Sequence, residues 1–189
     1  MPKKAESKNL VADAVKDILG MAQTVSAPTD VSEREYGGFR HSEWGYGRDH
    51  EEFEADAEIA LNPTAFQHGY IHFPGGGARP AEIMVPATSP KSIPSDYDDL
   101  DYKDASMMPG KVLNGIDQGL ELDLKGNSFG WDKMFKGIVR AVVRQVQTDP
   151  ANPVPVVKLG SNSYFNKRYS KDISNPTMEI VRWMPMDGE

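Results

Sequence analysis

The sequence predicts an α+β fold, a mainly antiparallel sheet with one long amphipathic helix packed on it and a short helix near the N-terminus. Three observations predict it. Residues 131–147 carry an apolar stripe at helical period. Residues 119–125 alternate apolar and polar, the pattern of a half-buried strand. Around them, short apolar runs are punctuated by Gly, Pro and Asn, as strands joined by turns are.

A chain of 189 residues with 39% apolar and 26% charged side chains fits one globular domain with a tail. We divide it into residues 1–35, an N-terminal helix with a flexible linker, and residues 36–189, a single α+β domain. The helix spans Asn9 to Met21, where Leu10, Val11, Ala14, Val15, Ile18 and Leu19 recur at helical spacing and Ser7 is a candidate cap. The polar stretch Gln23–Glu35 reads as the linker.

Tyr36–Phe53 holds five aromatics and four glycines with no clean period, so a loop or irregular strands are expected. Strands follow at Glu58–Leu61, Gln67–Phe73 and Ala81–Val85, the last two joined as a hairpin through Pro74–Pro80. Thr88–Gly110, rich in Pro, Ser and Asp, reads as a long surface loop. The Gly119–Lys125 strand places Leu120, Leu122 and Leu124 on one face. The Trp131–Gln147 helix is capped by Asn127 or Ser128. It presents Trp131, Met134, Phe135, Ile138, Val139, Val142, Val143 and Val146 to the core, and Asp149-Pro150 ends it. Val154–Leu159, Asn162–Tyr169 and Thr177–Met184 read as closing strands, with turns at Gly160 and Asn175-Pro176. Strands of mixed length around one docked helix suggest a small twisted barrel of OB-like form.

The chain has no Cys, which excludes disulfides, thiolate catalysis and Cys-based metal centres. No apolar run approaches the roughly 20 residues of a membrane span, and no secretory signal is evident at Met1–Ser7. A cytoplasmic protein without membrane contact is expected.

The net charge of −7 is unevenly spread. Residues 1–124 carry 11 Lys/Arg against 22 Asp/Glu, whereas residues 125–171 carry 9 Lys/Arg against Asp132 and Asp149 alone. Such asymmetry points to a polyanionic partner or to self-association of opposite patches, giving a homo-oligomer.

Three constellations bear on function. Lys133, Lys136, Arg140 and Arg144 fall within an arc of about 80° on the helix, opposite its apolar face. A ridge of one sign suits phosphates, because neutralising each releases condensed counterions. An ordinary solvated helix face is the competing reading. Next, Tyr164, Phe165, Lys167, Arg168, Tyr169 and Lys171 interleave rings with cations. Single-stranded bases stack on such rings at roughly 1–3 kcal/mol each while the cations hold the backbone. The alternative is a hairpin with its aromatics packed inward. Finally, Trp44 and Tyr46, flanked by glycines, can form a mobile stacking arm, or tuck onto the core; Glu43, Asp49, Glu51, Glu52 and Glu54 nearby oppose phosphate.

Other signals are weaker. Gly75–Gly77 lacks the Gly-Lys-Ser/Thr ending of a phosphate-binding loop. Asp96, Asp98, Asp99, Asp101 and Asp104 lack the Gly and Glu of a calcium loop and read as a solvated acidic loop. His68 and His72 share a strand face without a third ligand. No nucleophile–base pairing is recognisable. We therefore expect no catalysis, metal or cofactor.

Gly69-Tyr70-Ile71-His72-Phe73, Ile83-Met84-Val85-Pro86, the amphipathic helix, Pro153–Leu159 and Pro176–Met184 together carry a resemblance. Over these residues the chain, from about Asn62 to Met184, resembles a group of small tailed-bacteriophage proteins. The resemblance implies a phage setting, a role near DNA replication or recombination, and kinship with OB-like single-stranded-DNA-binding proteins. Some of those end in an acidic tail; Met186-Asp187-Gly188-Glu189 is only mildly acidic.

A non-catalytic single-stranded-DNA-binding protein is thus the first expectation, with phage or host replication proteins as further partners. The alternatives are an interaction module that engages or inhibits a host protein through its acidic N-terminal two-thirds, and a virion component.

Overall fold

The computed structural model describes residues 34–76 and 78–187. The helix expected over Asn9–Met21 and the linker up to residue 33 lie outside the described residues.

Among the described residues, ten strands and one long helix make an α+β fold. In chain order these are β1 (Glu35–Arg40), β2 (Glu43–Tyr46), β3 (Glu51–Glu52), β4 (Glu58–Leu61), β5 (Gln67–His72), β6 (Ala81–Pro86), β7 (Tyr102–Val112), β8 (Glu121–Gly126), α1 (Phe129–Thr148), β9 (Val154–Asn166) and β10 (Lys171–Met184). The main path of the sheet runs β10-β9-β4-β7-β8-β1-β2-β3, and β5 with β6 branches from β7. Among the described residues only β1 and β8 pair in parallel; the other pairings are antiparallel. No pairing among the described residues joins the two ends of the path, so the sheet is open and the barrel expected from the sequence is not closed.

The helix forms where its periodicity places it. Ser128 caps it, its Oγ accepting from the Trp131 N–H at 3.1 Å, and the Asp149 N–H closes it on the Gln145 carbonyl. Its buried residues are Trp131, Phe135, Ile138, Val142 and Val146, each three or four positions from the last. They pack against Ile59 and Leu61 of β4, Met108 and Val112 of β7, Leu122 and Leu124 of β8, and Val157 of β9. Each such side chain contributes on the order of 1.5–3 kcal/mol through burial. Within this core the Trp131 Nε1–H donates to Ser106 Oγ at 2.9 Å, which satisfies both buried groups.

Two expectations are corrected. Residues 102–110, read as the end of a loop, belong to β7, a strand that pairs with β8 along one edge and with β5 then β4 along the other. Pro109 is tolerated where that second edge passes from one partner to the next, and its carbonyl accepts from the Asn62 N–H at 2.8 Å. The turns expected at Gly160 and Asn175-Pro176 are absent. β9 and β10 instead run unbroken as a long antiparallel ribbon, with Gly160 opposite Thr177 and Pro176 opposite Ser161. Among the described residues β10 pairs only with β9, so Pro176 sits on an edge strand, where its missing N–H is tolerated. Tyr36–Phe53, expected as a loop or irregular strands, holds the short strands β2 and β3 and all but the first residue of β1.

Candidate nucleic-acid interface

The outer part of the β9–β10 ribbon projects from the core as an arm. Residues 161–165 and 167–172 are exposed, and the turn at its tip is tied by Asn166 Oδ1, which accepts from the Arg168 N–H at 2.9 Å. Tyr164, Phe165 and Tyr169 are 48%, 60% and 58% exposed. Strand alternation sends Tyr164 and Phe165 to opposite faces of the ribbon. The inward packing that a hairpin of this sequence could have adopted is therefore not found. Lys167, Arg168 and Lys171 stand among these rings with no ion pair among the described residues, and the Arg168 guanidinium lies 5.6 Å from the Tyr169 ring centre.

The helix ridge is equally exposed. Lys133, Lys136, Arg140 and Arg144 all face solvent. Lys136 is paired with Asp132 at 2.7 Å, an i,i+4 bridge, while the other three have no carboxylate partner among the described residues. A groove of about 770 Å³ runs between the first two turns of α1 and the base of the arm. Lys133 lines one wall and Tyr164 the other, with Met134, Ile138, Met178 and Ile180 giving an apolar component. The first cation of the ridge and the first aromatic of the arm thus share one groove. Arg140 and Arg144 lie further along α1, and Lys167, Arg168 and Lys171 further out on the arm.

Gly130 allows this closeness. A Cβ there would press on the Asn175 side chain of β10 and force it to shift, so glycine lets the start of α1 approach the ribbon in its present arrangement. Sequence reading missed Phe129, which is highly exposed and lines the same groove. Its signal was present: at 100° per residue Phe129 falls about 40° from Lys133, an apolar residue on the basic side of the helix.

Trp44 and Tyr46 are elsewhere, and the stacking arm expected from them is corrected. Trp44 is buried in the core, 5.6 Å from the Phe39 ring and 5.8 Å from that of Trp131, and its Nε1–H donates to the Gly160 carbonyl at 2.7 Å. Tyr46 packs on Phe53 and donates to Asp117 Oδ1 at 2.6 Å. That hydrogen bond, burial and the Asp117 charge raise the Tyr46 phenol well above its ordinary range. Both rings are committed to the fold.

The acidic segment is partly neutralised by Lys91 on Asp104 and Lys103 on Asp101, and Tyr102 donates a hydrogen bond to Asp96. Among the described residues no group of three or more His, Asp or Glu side chains is arranged to hold a metal ion. Nor is any helix there long and apolar enough to cross a membrane. Comparison with known proteins returns no match: no family model, curated protein or solved structure is similar to the chain.

Proposed function

We propose that the protein binds single-stranded DNA without catalysis, using the β9–β10 arm and the basic ridge of α1 as one surface. The observation that carries this reading is the state of the arm. Three aromatic rings are about half exposed beside three cations that have no acidic partner among the described residues. Exposed rings clustered with cations on one arm fit an interaction surface, since bases stack on rings while cations meet phosphates. The groove that joins Tyr164 to Lys133 gives a strand a continuous path from arm to helix. Action in phage replication or recombination, beside phage or host replication proteins in the cytoplasm, belongs to the same proposal.

Fluorescence anisotropy with a labelled oligo-dT tests it. Binding is expected at about 50 mM salt, with a fall of about tenfold or more by about 200 mM, because each phosphate contact releases counterions. No binding at the lower salt would refute the proposal.

A further inference from the structure

A second concave site lies on the other side of the start of α1. This cleft, of about 990 Å³, is bounded by β1, the β2–β3 turn, the β5–β6 connection and the end of β8. Residues 35–123 contain three arginines, Arg40, Arg48 and Arg79, and all three line it. They come from three separate segments in the most acidic part of the chain. None has a carboxylate within 4.0 Å among the described residues, and all are exposed. Three guanidinium groups line one cleft without a directly paired carboxylate, and an anion between them would gain from all three charges. Their planar forks match phosphate oxygens in bidentate geometry.

Other parts of the cleft suit the rest of a nucleotide. Tyr36 and Phe73 line it and are 57% and 51% exposed, which leaves aromatic faces for a planar base. Lys125 Nζ sits 4.6 Å from the Tyr36 ring centre, and its charge is shared with Glu82 at 2.6 Å. Asn127 and Ser128 bring the positive end of α1 to the rim. His50 Nε2 is buried at the wall with no hydrogen-bond partner among the described residues. Among the described residues Glu35 and Glu82 are the only carboxylates in the lining. A volume at the top of the roughly 300–1,000 Å³ range of small-molecule sites accommodates a mononucleotide.

We infer that this cleft binds a nucleoside phosphate, with Arg40, Arg48 and Arg79 on the phosphate and Tyr36 and Phe73 offering stacking faces to the base. The site does not depend on the arm and ridge. The same chemistry can arrive as a free nucleotide or as the phosphorylated end of a strand.

Calorimetric titration of the full chain with the common ribo- and deoxyribonucleoside 5′-monophosphates tests the inference. At least one should bind saturably, and its nucleoside about tenfold or more weaker, since charge-assisted contacts are lost. Arg48→Ala and Arg79→Ala, both on exposed side chains, should each weaken nucleotide binding by about tenfold while leaving 5′-hydroxyl oligo-dT within about twofold. Lys133→Glu should do the reverse, so failure of this site and failure of the arm surface are separable. Competition by 5′-phosphorylated oligo-dT but not by its 5′-hydroxyl form identifies a strand end as the source; competition by neither identifies the free nucleotide. No saturable binding of any monophosphate, or binding indifferent to both arginine substitutions, overturns it.

Discussion

The Trp44 indole N–H donates to the carbonyl of Gly160 at 2.7 Å, across the open gap of the sheet. Along the path of pairing, β2 and β9 are separated by β4, β7, β8 and β1. The sheet therefore curls far enough to bring its two limbs together, and a side chain spans the place where a ladder would close a barrel. Replacing Trp44 with Phe keeps a ring in the core but leaves the Gly160 carbonyl without this donor. Stability should fall by about 1–3 kcal/mol, and Trp44→Ala by about 3–5 kcal/mol. Urea unfolding measures both. Oligo-dT affinity of the folded Phe variant should be unchanged, because Trp44 is structural.

On the arm, Tyr164→Ala, Phe165→Ala and Tyr169→Ala should each weaken oligo-dT binding by roughly 1–3 kcal/mol. Because these rings are exposed, unfolding stability should stay within about 0.5 kcal/mol of the parent. Anisotropy and thermal unfolding of the same preparations separate the two effects.

The ridge should act through charge alone. Lys133→Glu and Arg140→Glu should each weaken binding and reduce the slope of log affinity against log salt by about 0.7 or more for each lost phosphate contact. Lys136→Glu should have a smaller effect, since Asp132 already shares the charge of Lys136. Equal effects at all three positions would show that the local ion pair is immaterial.

Much of the fold is legible in the sequence because it rests on period. The β4 strand and α1 follow their apolar spacing, and the β5–β6 hairpin follows its Pro-Gly-Gly connection. Where reading fails, local residues oppose a structure that tertiary pairing imposes. The β7 strand begins Tyr102-Lys103-Asp104 and contains Pro109-Gly110, yet it is buried between two neighbours. Pro176 and Gly160 look like breaks, but a single long ribbon partner holds both in register. The arm and ridge were visible as composition. Their meeting at Lys133 and Tyr164 was not, because 31 positions of chain separate them. The convergence of Arg40, Arg48 and Arg79 was hidden in the same way.

Tyr46 gives a pH test of the fold. Its folded-state phenol is held above the ordinary value of about 10 by the bond to Asp117, by burial and by that carboxylate's charge. Below pH about 10 the proton is bound in both folded and unfolded chains, and the stabilisation is fully present. Above it the unfolded chain releases the proton first, so stability falls as pH rises. The stability difference between the parent and Tyr46→Phe should therefore shrink between about pH 9 and pH 11 in urea unfolding. A constant difference would show that Asp117 does not hold the phenol neutral.

The central claim is that the exposed arm contacts single-stranded DNA. The most direct measurement is the affinity of Lys167→Glu/Arg168→Glu for labelled oligo-dT at about 50 mM salt, set against the parent. Losing and reversing two phosphate-facing charges should cost about tenfold or more, with an unchanged unfolding midpoint. Affinity equal to that of the parent would contradict the account.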